Sequence, residues 1–180
     1  MKINSEEARA ILDLNNFVIF KNYLNPPDRY LFDNVYQPKE QVKHSDGHNY
    51  GSMAIMPEIF FENKSVNDFY NECSDLYGVK TALLLISGSS EGHGTARHSD
   101  QSNVLHWQCV GKSEWTFYDN PVPNAETKVM LNAGDIIWFK KDNDHSVTNL
   151  GDKYSIVFNE VELLKNFLIK KYSENGKEFA

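Results

Sequence analysis

A chain of 180 residues with 41% hydrophobic and 13% aromatic content carries enough apolar material for one globular core, which excludes a disordered or low-complexity chain. The formal charge of −7, from 25 acidic against 18 basic side chains, excludes a bulk grip on nucleic acid, which needs clustered lysine and arginine. Cys73 and Cys109 lie far apart, in a helical and a strand pattern, so neither a disulfide framework nor a zinc knuckle is suggested and a reducing compartment fits.

The N-terminus, MKINSEEARAILDL, lacks the basic start and apolar run of a signal peptide, and no apolar stretch approaches a membrane span. A cytoplasmic protein with no membrane partner is the expectation. Its Ser-Glu-Glu opening, with Ala8, Ile11 and Leu12 at helical spacing, predicts a helix over 5–14. FVIF (17–20) predicts a strand. The segment 25–48 contains proline, is polar and has poor periodicity, and so reads as a loop or lid in which Tyr30, Phe32 and Tyr36 could cover a substrate. GSMAIM (51–56) can extend a sheet. Asn63 or Ser65 can cap the next helix, whose Val66, Phe69, Tyr70, Cys73 and Leu76 keep the three-four rhythm of one buried face.

From there β-type runs recur: KTALLLI (80–86), NVLHWQCV (103–110), EWTFY (114–118), TKVML (127–131), DIIWF (135–139), HSVTN (145–149) and YSIVF (154–158). The turns GSSEGHG, GK, DNPVPN, NAGD, KKDND and LGDK separate them at hairpin intervals. Many short strands with no helix between them predict a mainly β jelly roll over 80–160. A last helix over 161–172, with Leu164, Phe167 and Leu168 on one face and lysines toward its end, would brace it. The chain therefore reads as one domain, 1–180, with helices at the N-terminus, before the core strands and at the C-terminus.

In an extended chain residues two apart project to one side, so His98 and Asp100 can reach one ion. His145 opens a later predicted strand. Two imidazoles and a carboxylate on one face of a metal leave the opposite positions open, as non-haem Fe(II) oxygenases require. Taken singly, a His-x-Asp triplet recurs by chance, and His145 could be a surface histidine at a strand end. The spacing around them joins the two halves. Gly92, five residues, His98, one residue and Asp100 precede Gly111; Gly134, five residues, Lys140, Lys141, Asp142, two residues, His145, three residues and Asn149 follow.

These spacings resemble the two cupin motifs, with lysine and aspartate where the second usually has proline and glycine. Over roughly 83–160 the chain is similar to the Fe(II)/2-oxoglutarate-dependent oxygenases, built on the double-stranded β-helix shared by cupins and JmjC-type hydroxylases. NNFVIFKNYL is similar to the opening strand and turn of many such enzymes. An ordinary cupin would carry histidine at position 100 and a glutamate near Val104. The resemblance implies that His98, Asp100 and His145 are the iron ligands and catalytic residues. It also implies that 2-oxoglutarate and molecular oxygen are co-substrates, and that a small molecule or a peptide side chain is hydroxylated with release of succinate and carbon dioxide.

The far carboxylate of 2-oxoglutarate needs a cation and a hydroxyl in a partly dry pocket. In GDKYSIVFN, Lys153 and Ser155 resemble the basic-x-Ser motif that prolyl-hydroxylase-type enzymes carry after their distal histidine. Lys112 in GKSEW is the rival, resembling the basic residue of the asparaginyl and ribosomal-protein hydroxylases, although by spacing that position falls on Ser113 and Lys112 would face the other side of the sheet. Thr95 matches a co-substrate-binding threonine of the asparaginyl hydroxylases, and Asn159 the asparagine that ends their last core strand.

Other conspicuous residues read more plainly. His106, in phase with Val104 and Gln108, is a packed barrel histidine or a pocket group and not a metal ligand. His93 belongs to a glycine-rich loop, His44 and His48 to the lid, and Arg97 to a structural salt bridge. Trp107, Trp115 and Trp138 read as core. Two alternatives stand beside the oxygenase: a cupin-type dioxygenase or isomerase that uses no 2-oxoglutarate, and a non-catalytic jelly-roll binding module with a structural metal. Oligomeric state is open, a homodimer included.

Overall fold

Alternation along each strand builds the architecture, because successive side chains of an extended chain face opposite ways. A computed structural model of the protein describes residues 1–35, 41–43, 49–78, 83–88, 94–118 and 126–159. Its strands are β1 (Phe17–Phe20), β2 (Gln41–Lys43), β3 (Asn49–Ile55), β4 (Leu84–Gly88), β5 (Gly94–His98), β6 (Val104–Val110), β7 (Lys112–Tyr118), β8 (Glu126–Asn132), β9 (Ile136–Phe139), β10 (His145–Asn149) and β11 (Lys153–Asn159). Seven form one antiparallel sheet in the order β1-β9-β6-β11-β4-β3-β2, and four form a second in the order β5-β10-β7-β8. From β4 onward the chain passes back and forth between the two sheets, which makes the predicted double-stranded β-helix.

Strand β6 sits inside the larger sheet and is buried on both faces. Leu105, Trp107 and Cys109 face the helices, in a cluster with Val66, Phe69 and Cys73. Val104 joins Trp115, Phe117, Ile137, Phe139 and Val147 in the cluster between the sheets. Helices α1 (Glu6–Asn15) and α3 (Lys64–Tyr77) begin where the sequence predicts, and their caps explain why. Ser5 Oγ accepts the Ala8 N–H at 3.0 Å, and Asn63 Oδ1 accepts those of Ser65 and Val66, so Asn63 and not Ser65 is the cap. Left-handed Asn16 and Gly78 end the two helices. Among the described residues no helix is long and apolar enough to cross a membrane.

Two elements depart from the sequence reading. Within 25–48, read as loop or lid, Arg29–Val35 form helix α2 and Gln41–Lys43 form β2; residues 36–40 and 44–48 lie outside the described set. Long-range contacts hold α2, which local periodicity could not reveal. Arg29 bridges Asp33 and Asp152, the Tyr154 hydroxyl donates to Asp33 at 2.9 Å, and buried Phe32 stacks on Tyr154 at 4.9 Å. GTARH, read as glycine-rich loop, is strand β5, held by pairing with β10 although it carries little apolar material. The helix expected over 161–172 lies outside the described residues.

A buried aspartate ties β1 to the core. Asp135, 1% exposed, accepts the N–H of Asn22 on one oxygen, and on the other the N–H of Asn132 and the ammonium of Lys21, each at 2.8–2.9 Å. Burial would raise its pKa, but the bonds from Asn132, Lys21 and Asn22 outweigh it and hold the carboxyl below its usual range. Removing the acceptors orphans two backbone donors, so Asp135→Ala should lower unfolding free energy by about 2–3 kcal/mol in urea denaturation. A lowered carboxylate pKa adds stability that is present above the unfolded value and fades as pH falls through the folded one. The acid limb of the stability curve should therefore be shallower in Asp135→Asn than in the natural protein.

Candidate metal centre

Strand β5 ends on His98 and β10 begins on His145, and the two residues stand directly opposite in the antiparallel ladder. Directly opposed residues share a face of the sheet, so both imidazoles turn toward the barrel. Asp100 lies just past β5, where its carbonyl accepts the Asp142 N–H at 2.8 Å and ties this loop to the turn before β10. Asp142 has φ 59°, the left-handed conformation that a cupin glycine would supply and that aspartate tolerates better than most residues. In the same turn the Lys141 N–H donates to Asn103 Oδ1 at 3.0 Å. The turn is thus shaped by its bonds to the ligand loop.

The three predicted ligands come together. His98 Nε2 lies 3.8 Å from Asp100 Oδ1 and His145 Nε2 lies 3.7 Å from Asp100 Oδ2; the three ligand atoms fall within 4.8 Å of one another. His98 Nδ1 meets the Ala96 carbonyl at 2.8 Å and His145 Nδ1 meets that of Asn143 at 2.9 Å. A carbonyl only accepts, so each Nδ1 carries the proton and each Nε2 keeps its lone pair for a cation. Burial lowers the His145 pKa and His98 adds to this, against the opposing pull of the Asn143 carbonyl and Asp100. The ring therefore favours its neutral, ligating form.

Burial of the cluster is one-sided. His145 is 2% exposed, stacked on Trp115 at 5.5 Å and against Phe139 at 4.7 Å, whereas His98 and Asp100 keep about 30% of their side-chain surface open. Two neutral imidazole nitrogens and one carboxylate, walled on one side and open on the other, suit a divalent transition metal with coordination positions to spare. Arg97 points away, pairing with Asp144 at 2.8 Å and lying over the Tyr118 ring, as a structural salt bridge.

Deeper in the barrel the inner faces turn polar. Trp115 Nε1 donates to Ser113 Oγ at 3.0 Å and Ser113 Oγ to Gln108 Oε1 at 2.9 Å, both buried, and Gln108 Nε2 donates to the half-buried Val110 carbonyl at 2.7 Å. Ser155 Oγ reaches the same Gln108 oxygen at 3.5 Å. Lys153 is 5% exposed, and burial pushes its pKa down to about 8. No carboxylate pairs with it among the described residues. Lys112 stands on the outer face of β7 in solvent, while its neighbour Ser113 faces inward. Thr95 lies opposite Val147, and a register shift between the His98 and Thr95 pairs lets these two residues, three apart, share the inner face. Asn159 ends β11 opposite Val104. Sequence reasoning missed Gln108 and Ser113 as a linked pair. They lie on consecutive strands of the two different sheets, either side of the turn at Gly111, and that closeness in sequence was the available signal.

No family model matches the chain, and no curated protein matches it in sequence. Solved structures do share its fold. YcfD, a ribosomal oxygenase from Escherichia coli, is 15% identical with a TM-score of 0.53, covering 96% of this chain and 58% of that one. A second structure of YcfD is a complex with cobalt and succinic acid. An oxidoreductase of the 2OG-Fe(II) oxygenase family from Burkholderia pseudomallei is 12% identical with a TM-score of 0.56, covering 85% of this chain and 88% of that one. The chain thus spans little more than half the length of the ribosomal oxygenase it matches.

Asp100 brings the one negative charge among the three clustered side chains, so Asp100→Ala should weaken Co(II) binding by about 100-fold or more while leaving the metal-free melting temperature nearly unchanged. Titration calorimetry reads the first and a thermal melt the second.

Proposed function

From the double-stranded β-helix of cupin-like oxygenases and the His98, Asp100 and His145 cluster set in it, we propose that the protein is an Fe(II)- and 2-oxoglutarate-dependent oxygenase. It hydroxylates a small molecule or a protein side chain and releases succinate and carbon dioxide. One observation carries the co-substrate: Lys153, a buried cation with no anionic partner among the described residues, faces the same barrel interior as the cluster. An uncompensated buried charge is costly, and a dicarboxylate bound to the metal would bring the missing negative end to it.

When bound, iron and 2-oxoglutarate supply the oxidising chemistry, reducing oxygen as the keto acid is decarboxylated. The chain does the rest. His98, His145 and Asp100 would hold the ion, with the Ala96 and Asn143 carbonyls fixing the two rings. Trp115 and Phe139 exclude water from the His145 side. Lys153 pairs with the far carboxylate, with Ser155 offering its hydroxyl and Thr95 facing the same interior. Lys112, out in solvent, is set aside. The open side of the cluster leaves room for substrate and oxygen, which favours an enzyme over a module with a closed structural metal.

Anaerobic addition of 2-oxoglutarate to the Fe(II)-loaded protein should develop the visible charge-transfer band of a chelated keto acid; iron binding without the band would leave a cupin-type metalloenzyme. Lys153→Met should raise the 2-oxoglutarate requirement at least about tenfold, while Lys112→Met leaves it unchanged. The ammonium form of Lys153 binds the carboxylate, and its pKa in the free protein lies at about 8. Affinity should therefore hold below pH 8 and fall by up to about tenfold per unit above it, a dependence absent from Lys153→Met.

A further inference from the structure

His106 is the buried polar group that this chemistry leaves unused. It stands on the inner face of β6, 4% exposed, opposite Ile137 of β9 and Val157 of β11, with its ring edge against Trp115 at 4.8 Å. Among the described residues nothing hydrogen-bonds its Nε2, although an imidazole nitrogen shut away from water loses free energy unless it is bonded. Phenylalanine or leucine would fill the same volume without that cost.

Its place in the barrel says what the nitrogen could meet. Along β6 it lies one inward position from Val104 and one from Gln108, which bonds Ser113 and Ser155 on the polar floor. Trp115 touches both histidines: it meets His106 edge-on at 4.8 Å and stacks on His145 at 5.5 Å. Its neighbour along the strand is Gln108 of the polar floor and its ring neighbour is the Trp115 that stacks on His145, and both Lys153 and His145 act on it electrostatically. A keto acid reaching from the metal to Lys153 would pass beside it.

We propose that His106 is a co-substrate-binding residue whose Nε2–H donates a hydrogen bond to an oxygen of a 2-oxo dicarboxylic acid held between the metal centre and Lys153. The inference rests on the oxygenase reading above. Burial, with Lys153 and His145 adding repulsion, outweighs a hydrogen bond with the Gln108 side chain and holds the His106 pKa well below its usual range, so the ring is neutral and adds no further positive charge. The ligand has only acceptor oxygens along its length, which requires the Nε2-protonated tautomer.

The test uses the full chain loaded with Mn(II) and titrated with 2-oxoglutarate by calorimetry, beside His106→Phe, His106→Leu and His106→Gln. The apolar variants should bind the keto acid about tenfold or more weakly, keep the Mn(II) affinity of the natural protein, and melt at a higher temperature when metal-free, because an orphaned polar atom has been removed. His106→Gln, which restores an N–H near the position of Nε2, should recover part of the loss. Equal keto-acid affinity in the natural protein and either apolar variant overturns the role of His106 and leaves the oxygenase reading standing. Mn(II) binding without any uptake of 2-oxoglutarate by the natural protein overturns both.

Discussion

The pairing of β10 between β5 and β7 is the constraint on which the site depends. It sets His145 opposite His98 on one side and opposite Phe117 on the other. A slip of one residue would turn His145 out of the barrel and Ser146 into it, because side chains alternate along a strand. Close approach of β5 enforces the register: a Cβ on Gly94 would fall 1.7 Å from the Val147 carbonyl oxygen, so only glycine fits. The bond from the Asp142 N–H to the Asp100 carbonyl then brings in the third ligand from outside the ladder.

Inside the barrel, the chain accepts a cost to stability where it gathers polar groups. Lys153, which no described carboxylate pairs, and the His106 Nε2, which no described residue bonds, both destabilise the ligand-free fold, and sites of this kind are where stability and function pull apart. The apolar cluster between the sheets and the larger one beneath α1 and α3 offset that cost. Helix α2 adds a local brace. Its Arg29 and Asp33 hold Asp152 and Tyr154, the residues on either side of Lys153, so the start of β11 is anchored from outside while its lysine points in. A segment that reads as a covering loop is thereby tied to the residues that flank buried Lys153.

The metal cluster and the polar floor occupy the same interior but differ in what surrounds them. Around His145 the walls are aromatic, and around Gln108 they are hydroxyls and amides joined in a chain to the Trp115 indole. Trp115 belongs to both: its ring face supports the ligand and its N–H terminates the polar chain. Apolar walls beside the ligands strengthen electrostatic contacts there, while the polar end can receive the charged tail of a ligand.

Much of this was legible in the chain. Strand alternation, the helical rhythm of 66–76, the caps of α1 and α3, and the spacing of His98, Asp100 and His145 are short-range patterns, and the fold follows them. Strand β5 was not legible, because it is held by its neighbour's hydrogen bonds and a glycine contact instead of apolar alternation. Helix α2 was not, because ion pairs to Asp152 and a ring stack on Tyr154 hold it from far along the sequence. Residue type and local spacing were enough to name the side chains able to ligate a metal and the lysines able to meet a carboxylate, since those chemistries are set within a few residues of chain. Closure of the barrel adds the rest: His98, Asp100 and His145 meet, Lys153 is buried while Lys112 is solvated, and His106 turns inward with an Nε2 that no described residue bonds, because distance and burial depend on strands that lie far apart in the chain.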